Sequence, residues 1–392
     1  MHKIIFTEEF CQPENLHPFT LTRQIQDIRV GILTIREKWE QSLGLPSFDK
    51  WEDDYKDLNR SVRIDKNIGN DVFLMIHGNV LPTPKMIKTI SRLKNGEFLS
   101  VNGGTGIVFR FTKKEVIEAH KIKVTKAITI KEPVKSLQYP WEIFQWNDDA
   151  IRQDFALITA KKKSQRISKT NTVSKQSQVY IEKGANVEYS FLNASTGPIY
   201  IGKNAEVMEG CMVRGPFALG EGAVLKMGSK VYGATSIGPY CAAGGEIKNS
   251  VMFGYSNKAH DGYLGDSVIG EWCNLGAGTT NSNLKNNAGE IRIWTPKGQM
   301  VAGNKCGVLM GDYSRTAINT SLNTGTVVGV GCNVFGAGLT PKYLSSFSWG
   351  NDGIERYKFD KAITDIENWK KLKGKKLSKN EISILKYIFE HY

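Results

Sequence analysis

Long apolar runs are missing from this 392-residue chain, and without a stretch of about 18 such residues no membrane-spanning helix is expected. The opening MHKIIFTEEF lacks the apolar segment of a secretory leader and reads instead as a strand over Lys3–Phe6. Cysteine is sparse: Cys11, Cys211, Cys241, Cys273, Cys306 and Cys332 never fall in CxxC spacing. That excludes a zinc ribbon and a disulfide framework, so a reducing cytoplasm is the expected compartment. Histidine is scarcer where it matters, since His260 is the only one between positions 121 and 390. A single imidazole argues against a zinc ion held by three of them. Acidic residues are outnumbered, 39 against 52 basic, for a net charge of +13. The basic runs AKKKSQRISK (160–169) and KKLKGKK (370–376) carry no interleaved aromatics, so nucleic acid is not the expected partner. Anionic metabolites such as phosphates and coenzyme A fit that excess better.

The first 150 residues alternate strand and helix patterns, as in an α/β layer domain. In DIRVGILTIREKWEQSLG, Ile28, Ile32, Ile35 and Trp39 share one helical face, with Asp27 as the expected N-cap and Gly44 as the stop. DVFLMI (71–76) reads as a buried strand. TPKMIKTISRLKNG reads as a helix capped by Thr83, with Pro84 at its first position and Gly96 at its end. FLSV and GIVFRF are further strands, and residues 139–155 form a junction and a closing helix. The domain is expected over 1–158, followed by a basic linker over 159–175.

The pattern then changes. Ile201, Val207, Val213, Leu219, Leu225, Val231 and Ile237 recur at a spacing of six. The residue four places after each is small (Ala205, Cys211, Ala223, Ser229, Thr235, Cys241), except Phe217. This is neither a helical period nor strand alternation; it is the signature of a parallel β-helix. Each hexad supplies one short strand and one corner, and like residues stack between coils about 4.8 Å apart. Ile181/Val187 precede the run, and Ile269/Leu275 and Ile318/Thr324/Val330 follow it. The β-helix is expected over 176–340 and a helical tail over 341–392, where Ser378 and Glu381 spell a capping box ahead of Ile382, Leu385 and Phe389.

Within that segment stand EIKNS (246–250) and SNKAHDGYLGDSVIGEWCNLGAGTTNSN (256–283). They resemble the hexapeptide-repeat acyltransferases, and most closely the acetyltransferase half of the bifunctional N-acetylglucosamine-1-phosphate uridylyltransferase/glucosamine-1-phosphate acetyltransferase family. The resemblance implies a left-handed β-helix, a homotrimer with clefts between neighbouring chains, acetyl-CoA as donor and an amino-sugar phosphate, glucosamine 1-phosphate, as acceptor. It places His260 at the catalytic base with Glu246 close to it. It places Lys230, Lys248, Tyr263, Asn274 and Asn283 around the sugar phosphate and the backbone at Ala277 near the acetyl group; Gly276 and Thr320 are further candidates for the coenzyme. Lys230 stands where the family has arginine and lacks the bidentate fork.

The chemistry agrees with those roles. Acetyl transfer needs an unprotonated amine, and a neutral imidazole accepts its proton near pH 7. A carboxylate such as Glu246 orients such a ring. Backbone N–H groups at Gly276, Ala277 and Gly278 suit the oxyanion of the tetrahedral intermediate. A thiolate leaves readily, so no covalent enzyme intermediate is required. The segment 285–314 departs from the family pattern, and Arg315 and Ile318–Thr320 after it line either a coenzyme groove or a structural corner.

The N-terminal domain resembles sugar nucleotidyltransferases but lacks their glycine-rich phosphate loop: FTEEFCQPENLHPF contains no GxG. Gln24-Ile25 replaces a Pro-Lys, and Gly78-Asn79 stands where an aspartate would hold Mg2+. Arg23, Arg29, Gly31 and Asn79 are the residues left for a nucleotidyl site, with Mg2+ required only if that domain is active. Two other functions therefore stay open at this point. One is a sugar-1-phosphate nucleotidyltransferase using a nucleoside triphosphate, with the β-helix serving assembly. The other is a trimer that binds sugar nucleotide without turnover.

Overall fold

A computed structural model describes residues 2–47, 72–112 and 124–392. Contacts divide them into two units: residues 1–13, 23–28 and 33–138 in one, and 14–22, 29–32 and 139–392 in the other. The closing helix of the expected first domain thus groups with the coils that follow it.

The first unit is built on a five-stranded sheet. Its strands are β1 (His2–Thr7), β2 (Val72–His77), β3 (Glu97–Val101), β4 (Gly106–Thr112) and β5 (Lys126–Ile130), in the order β1-β2-β4-β3-β5. β1 and β2 pair parallel, as do β3 and β5, while β4 runs antiparallel to both its neighbours. Phe73, Phe111 and Ile5 pack one face. The expected strand at 71–76 is present from Val72; Asp71 lies outside the described residues. Helix α1 (Ile35–Leu43) starts eight residues after Asp27 and is capped by Thr34, whose hydroxyl and Glu37 form a complete capping box. Asp27 instead ends a short 3-10 turn and pairs with Arg36 at 2.6 Å. Gly44, left-handed at φ +65°, closes α1 as expected. Helix α2 (Pro84–Ile90) has its Thr83 cap and Pro84, but it stops well short of Gly96.

In the second unit α3 (Asn147–Thr159) precedes a parallel β-helix with three faces, stacking nine, ten and six strands. The hexad residues from Ile201 to Ile237 all point inward and are buried with their small partners and with Phe217. Phe217 opens the strand Phe217–Leu219, in a column where the smaller Val179, Ile199 and Thr235 stand in other coils. Eighteen residues separate Val213 from its partner Val231, but sixteen separate Val231 from Ile247 and seventeen separate Ile247 from Leu264. Shortened corners therefore end the strict period after Ile237. Beyond the β-hairpin formed by Ile291–Thr295 and Gly298–Gly303, the inward positions are Met310, Thr316, Leu322, Val328 and Val334. The register Ile318/Thr324/Val330 is out of phase, and Ile318 is 71% exposed. The polar Thr316 hides the true phase from a search for aliphatic residues.

The basic stretch over 159–175 is bonded to the first coil. Gln165 donates its backbone N–H to Ile181 and its amide to Ala185, and accepts from Gly184. At the other end, α4 (Phe359–Leu372) and α5 (Lys379–His391) cover the last coils. Ser378 and Glu381 form the expected capping box, while the buried stripe of α5 is Ile384, Leu385 and Ile388. Phe389 meets Phe347 and Phe359. Five cysteines are buried in the coils, and loss of hydration pushes their thiols above the ordinary range.

Candidate active site

The six-stranded face carries the site. Its strands Met212–Arg214, Lys230–Tyr232, Glu246–Lys248 and Tyr263–Gly265 pair in parallel, one per coil. Alternation sends Val213, Val231, Ile247 and Leu264 inward. Outward, one column reads Phe191, Met212, Lys230, Glu246 and Tyr263, and the next reads Asn193, Arg214, Tyr232 and Lys248. A groove of about 550 Å³ runs along the lower part of this face between Phe191 and Glu246.

His260 sits at the corner before Tyr263 and is exposed. The corner packs backbone on backbone. A Cβ at Gly245 would lie 2.9 Å from the His260 carbonyl oxygen, and one at Gly262, φ +119°, only 2.1 Å from that of Thr279. Glycine is required at both places because the coils touch there. Beneath the corner lies a residue that sequence reasoning missed. Lys258 pairs with Ala243 in the inward column, where aliphatic residues stand in other coils, and is 1% exposed. The small Ala243 leaves it room. Its Nζ donates to the carbonyls of His260 at 2.5 Å and Gly244 at 3.3 Å. Burial lowers its pKa to about 8. A charged residue in a column of otherwise uncharged, mostly aliphatic side chains is the available signal.

Glu246 does not bond the His260 ring; it accepts from the Tyr232 hydroxyl at 2.6 Å. That bond and burial raise the Tyr232 pKa above the usual phenol range. Tyr263 accepts from the Asn283 amide at 3.1 Å, and the same amide reaches Asp266. Burial, with the Asp266 carboxylate nearby, pushes Tyr263 up to about 12, so it keeps its proton at neutral pH. Asp266 also accepts from Asn249 at 2.6 Å, which ties the Tyr263 rung to the coil below. Lys230 is exposed and Lys248 half-buried on the same face.

The other expected residues are placed elsewhere. Asn274 lies on the ten-stranded face, where it accepts from Asn257. Gly276 spends its N–H on Thr316 at 3.1 Å, and Gly278 spends its own on Asp261 at 3.0 Å. Of the three backbone donors expected for an oxyanion, only that of Ala277 makes no hydrogen bond among the described residues. Gly276 is a close-packing position, since a Cβ there would meet Ala317 at 2.5 Å. Thr320 is buried and donates to the Ala317 carbonyl at 2.9 Å. Arg315 is a corner residue, buried with Nε and one terminal nitrogen unpartnered and its guanidinium over Trp369.

Residues expected at a nucleotidyl site serve the framework. Arg29 donates to the carbonyls of Phe253, at 3.2 Å, and Ile32. Gly31, φ +88°, gives its N–H to Asn147 at 2.9 Å and packs where a Cβ would strike Asp154 and Ala150. Arg23 is buried in the first unit, whereas Arg29 and Gly31 belong to the second. Asn79, also buried, donates its amide to the Leu137 carbonyl at 3.2 Å and accepts from the Leu137 N–H through its own carbonyl. After β1, the backbone N–H of Ile25 is taken by the carboxylate of Glu8 at 2.6 Å. A carboxylate there opposes an incoming phosphate.

A family model for sugar nucleotidyl transferases matches residues 4–163. The chain is 32% identical over 101 residues to the bifunctional protein GlmU of Methanocaldococcus jannaschii, covering 26% of this chain and 25% of that one. It is 35% identical over 92 residues to a bifunctional sugar-1-phosphate nucleotidylyltransferase/acetyltransferase of Sulfurisphaera tokodaii, covering 23% of each. A longer match, 26% identical over 233 residues, spans 53% of this chain and 47% of the GlmU of Synechococcus elongatus. The chain thus spans from 23% to 47% of the length of these relatives. That family match is confined to residues 4–163, less than half of the chain.

Proposed function

We propose that the chain transfers an acetyl group from acetyl-CoA to the amine of an amino-sugar phosphate, with glucosamine 1-phosphate as the simplest acceptor, and does so as a homotrimer. The observation that carries the reading is the exposed His260 at a rigid corner beside a face bearing Lys230, Lys248 and Tyr263. The His260 ring takes the proton of the attacking amine. The nitrogen adds to the thioester carbonyl, the N–H of Ala277 faces the oxyanion, and the C–S bond then breaks to release coenzyme A as thiolate. Lys230 and Lys248 supply charge for the phosphate, and Tyr263 with Asn283 offers hydroxyl and amide contacts. The test mixes the protein with acetyl-CoA and glucosamine 1-phosphate and follows thiol release. His260→Ala abolishes that release while the coils and the oligomer stay intact; unchanged turnover would retire the base.

The family match over 4–163 favours a second reading, sugar-1-phosphate nucleotidyl transfer, in which a nucleoside triphosphate and Mg2+ would be needed. The residues do not fit it well. The Asn79 amide is buried and spent on Leu137, and Glu8, which follows the first strand, occupies the backbone N–H of Ile25. Pyrophosphate release from a nucleoside triphosphate and glucosamine 1-phosphate would establish it. Binding of sugar nucleotide with neither product would leave a non-catalytic trimer. No helix among the described residues is long and apolar enough to cross a membrane.

A further inference from the structure

The groove on the six-stranded face is longer than a sugar monophosphate requires. Lys248 and Lys230 lie one and two coils below Tyr263, and the groove opens at Glu246, in the coil of Lys248, and runs past Lys230 over two more coils. Its far part is lined by Arg214, Asn193, Met212 and Phe191. Four coil steps of about 4.8 Å give a face about 19 Å long from Tyr263 to Phe191. Arg214 is exposed, and among the described residues its guanidinium makes no hydrogen bond or ion pair. Met212 pairs with Lys230, so Arg214 stands in line with Tyr232 and then Lys248. The three cations thus occupy successive rungs of one face. Past them Phe191 and Met212 are 54% and 48% exposed, an unusual cost for large apolar side chains on adjacent coils. The Glu246 carboxylate within this run is engaged by the Tyr232 hydroxyl.

We infer that the groove takes an acceptor whose phosphate is extended into a nucleoside diphosphate, with Arg214 and Lys230 on the diphosphate and Phe191 under the base. Arginine supplies the planar fork that Lys230 lacks, one coil farther from the base His260, where a second phosphate would lie. An aromatic face stacks on a nucleobase with little sequence preference, so the chemistry identifies the ligand class and not the base. The inference rests on acetyl transfer by His260 and adds a substrate class and a specificity residue to it.

The experiment compares kcat/KM for UDP-glucosamine and glucosamine 1-phosphate by thiol release, in the wild type, Arg214→Ala and Phe191→Ala. A calorimetric titration with UDP alone accompanies each protein. The wild type favours the nucleotide sugar at least tenfold, that ratio falls at least tenfold in Arg214→Ala, and Arg214→Lys recovers part of it. UDP binding weakens in parallel. Equal kcat/KM for both acceptors with an unaltered ratio in Arg214→Ala overturns the inference while leaving acetyl transfer standing. Thiol release with neither acceptor, but UDP binding lost in Arg214→Ala, removes the transfer reaction and keeps the diphosphate site. UDP binding equal in the wild type and both alanine variants overturns the site outright.

Discussion

Lys258 Nζ lies 2.5 Å from the carbonyl oxygen of His260. A charge-bearing amine enclosed in an aliphatic column is costly unless its donors are used. Here they are spent on the two carbonyls that fix the corner carrying the imidazole.

Replacing that lysine with an apolar residue of similar length separates support from chemistry. Lys258→Met keeps the inward volume and drops the carbonyl contacts. Acetyl transfer should fall about tenfold or more, since one lost hydrogen bond to a charged donor is worth about 1.5–3 kcal/mol. The coils should persist by circular dichroism. The amine is depressed to about 8 in the fold against an ordinary lysine near 10.5, so the unfolded chain binds more protons between those values. Wild-type stability should therefore rise relative to Lys258→Met as pH climbs from 8 to 10.5. Parallel denaturation curves at pH 7.5 and 10 check the sign.

Tyr263→Phe removes a hydroxyl that accepts from Asn283 and faces the groove side of the sheet. The proton on that phenol is retained to about pH 12. The variant should raise KM for the acceptor about fivefold to tenfold with kcat changed little, as steady-state kinetics would show; a collapse of kcat alone would put the hydroxyl in the chemistry instead.

His77 closes β2 with its ring buried, stacked on Phe10 and with Nε2 unpartnered. Burial lowers its pKa to about 4 from the ordinary 6.5. The native ring is neutral where the unfolded one is charged, so stability is lost as pH falls from about 6.5 to 4. The full loss is about 3 kcal/mol. His77→Phe should flatten the acid side of a denaturation midpoint plotted against pH.

Thiol titration with an aromatic disulfide gives a fourth check. Cys11 is part-exposed, and the other five thiols are buried with their proton held by desolvation. One thiol should react in the native protein and six in denaturant. A second fast native thiol would mean that a coil opens.

The hexad run from Ile201 to Ile237 was legible because one side chain per corner must fill a fixed interior, so composition repeats with geometry. Capping at Ser378 and the stop at Gly44 were legible because they depend on neighbours in sequence. What escaped depends on distant partners. The start of α1 moved to Thr34 because Gly31, which interrupts the apolar pattern, packs onto α3 more than 100 residues away. Ile318 falls out of phase because a hairpin insertion resets the coils and Thr316, the inward residue after Met310, is polar. Arg214 and Tyr232 join the site only once coils of eighteen and sixteen residues are laid side by side.

That lateral alignment makes the face a ruler. Side chains on successive rungs can be separated only by whole multiples of one inter-strand step, and main-chain bonds between rungs forbid fractional adjustment. Discrimination among acceptors would then come from matching molecular length to fixed graduations, without closure of a flexible lid over the bound molecule. A single-residue deletion in any corner below Tyr263 would displace a graduation, and so alter which acceptor is measured correctly.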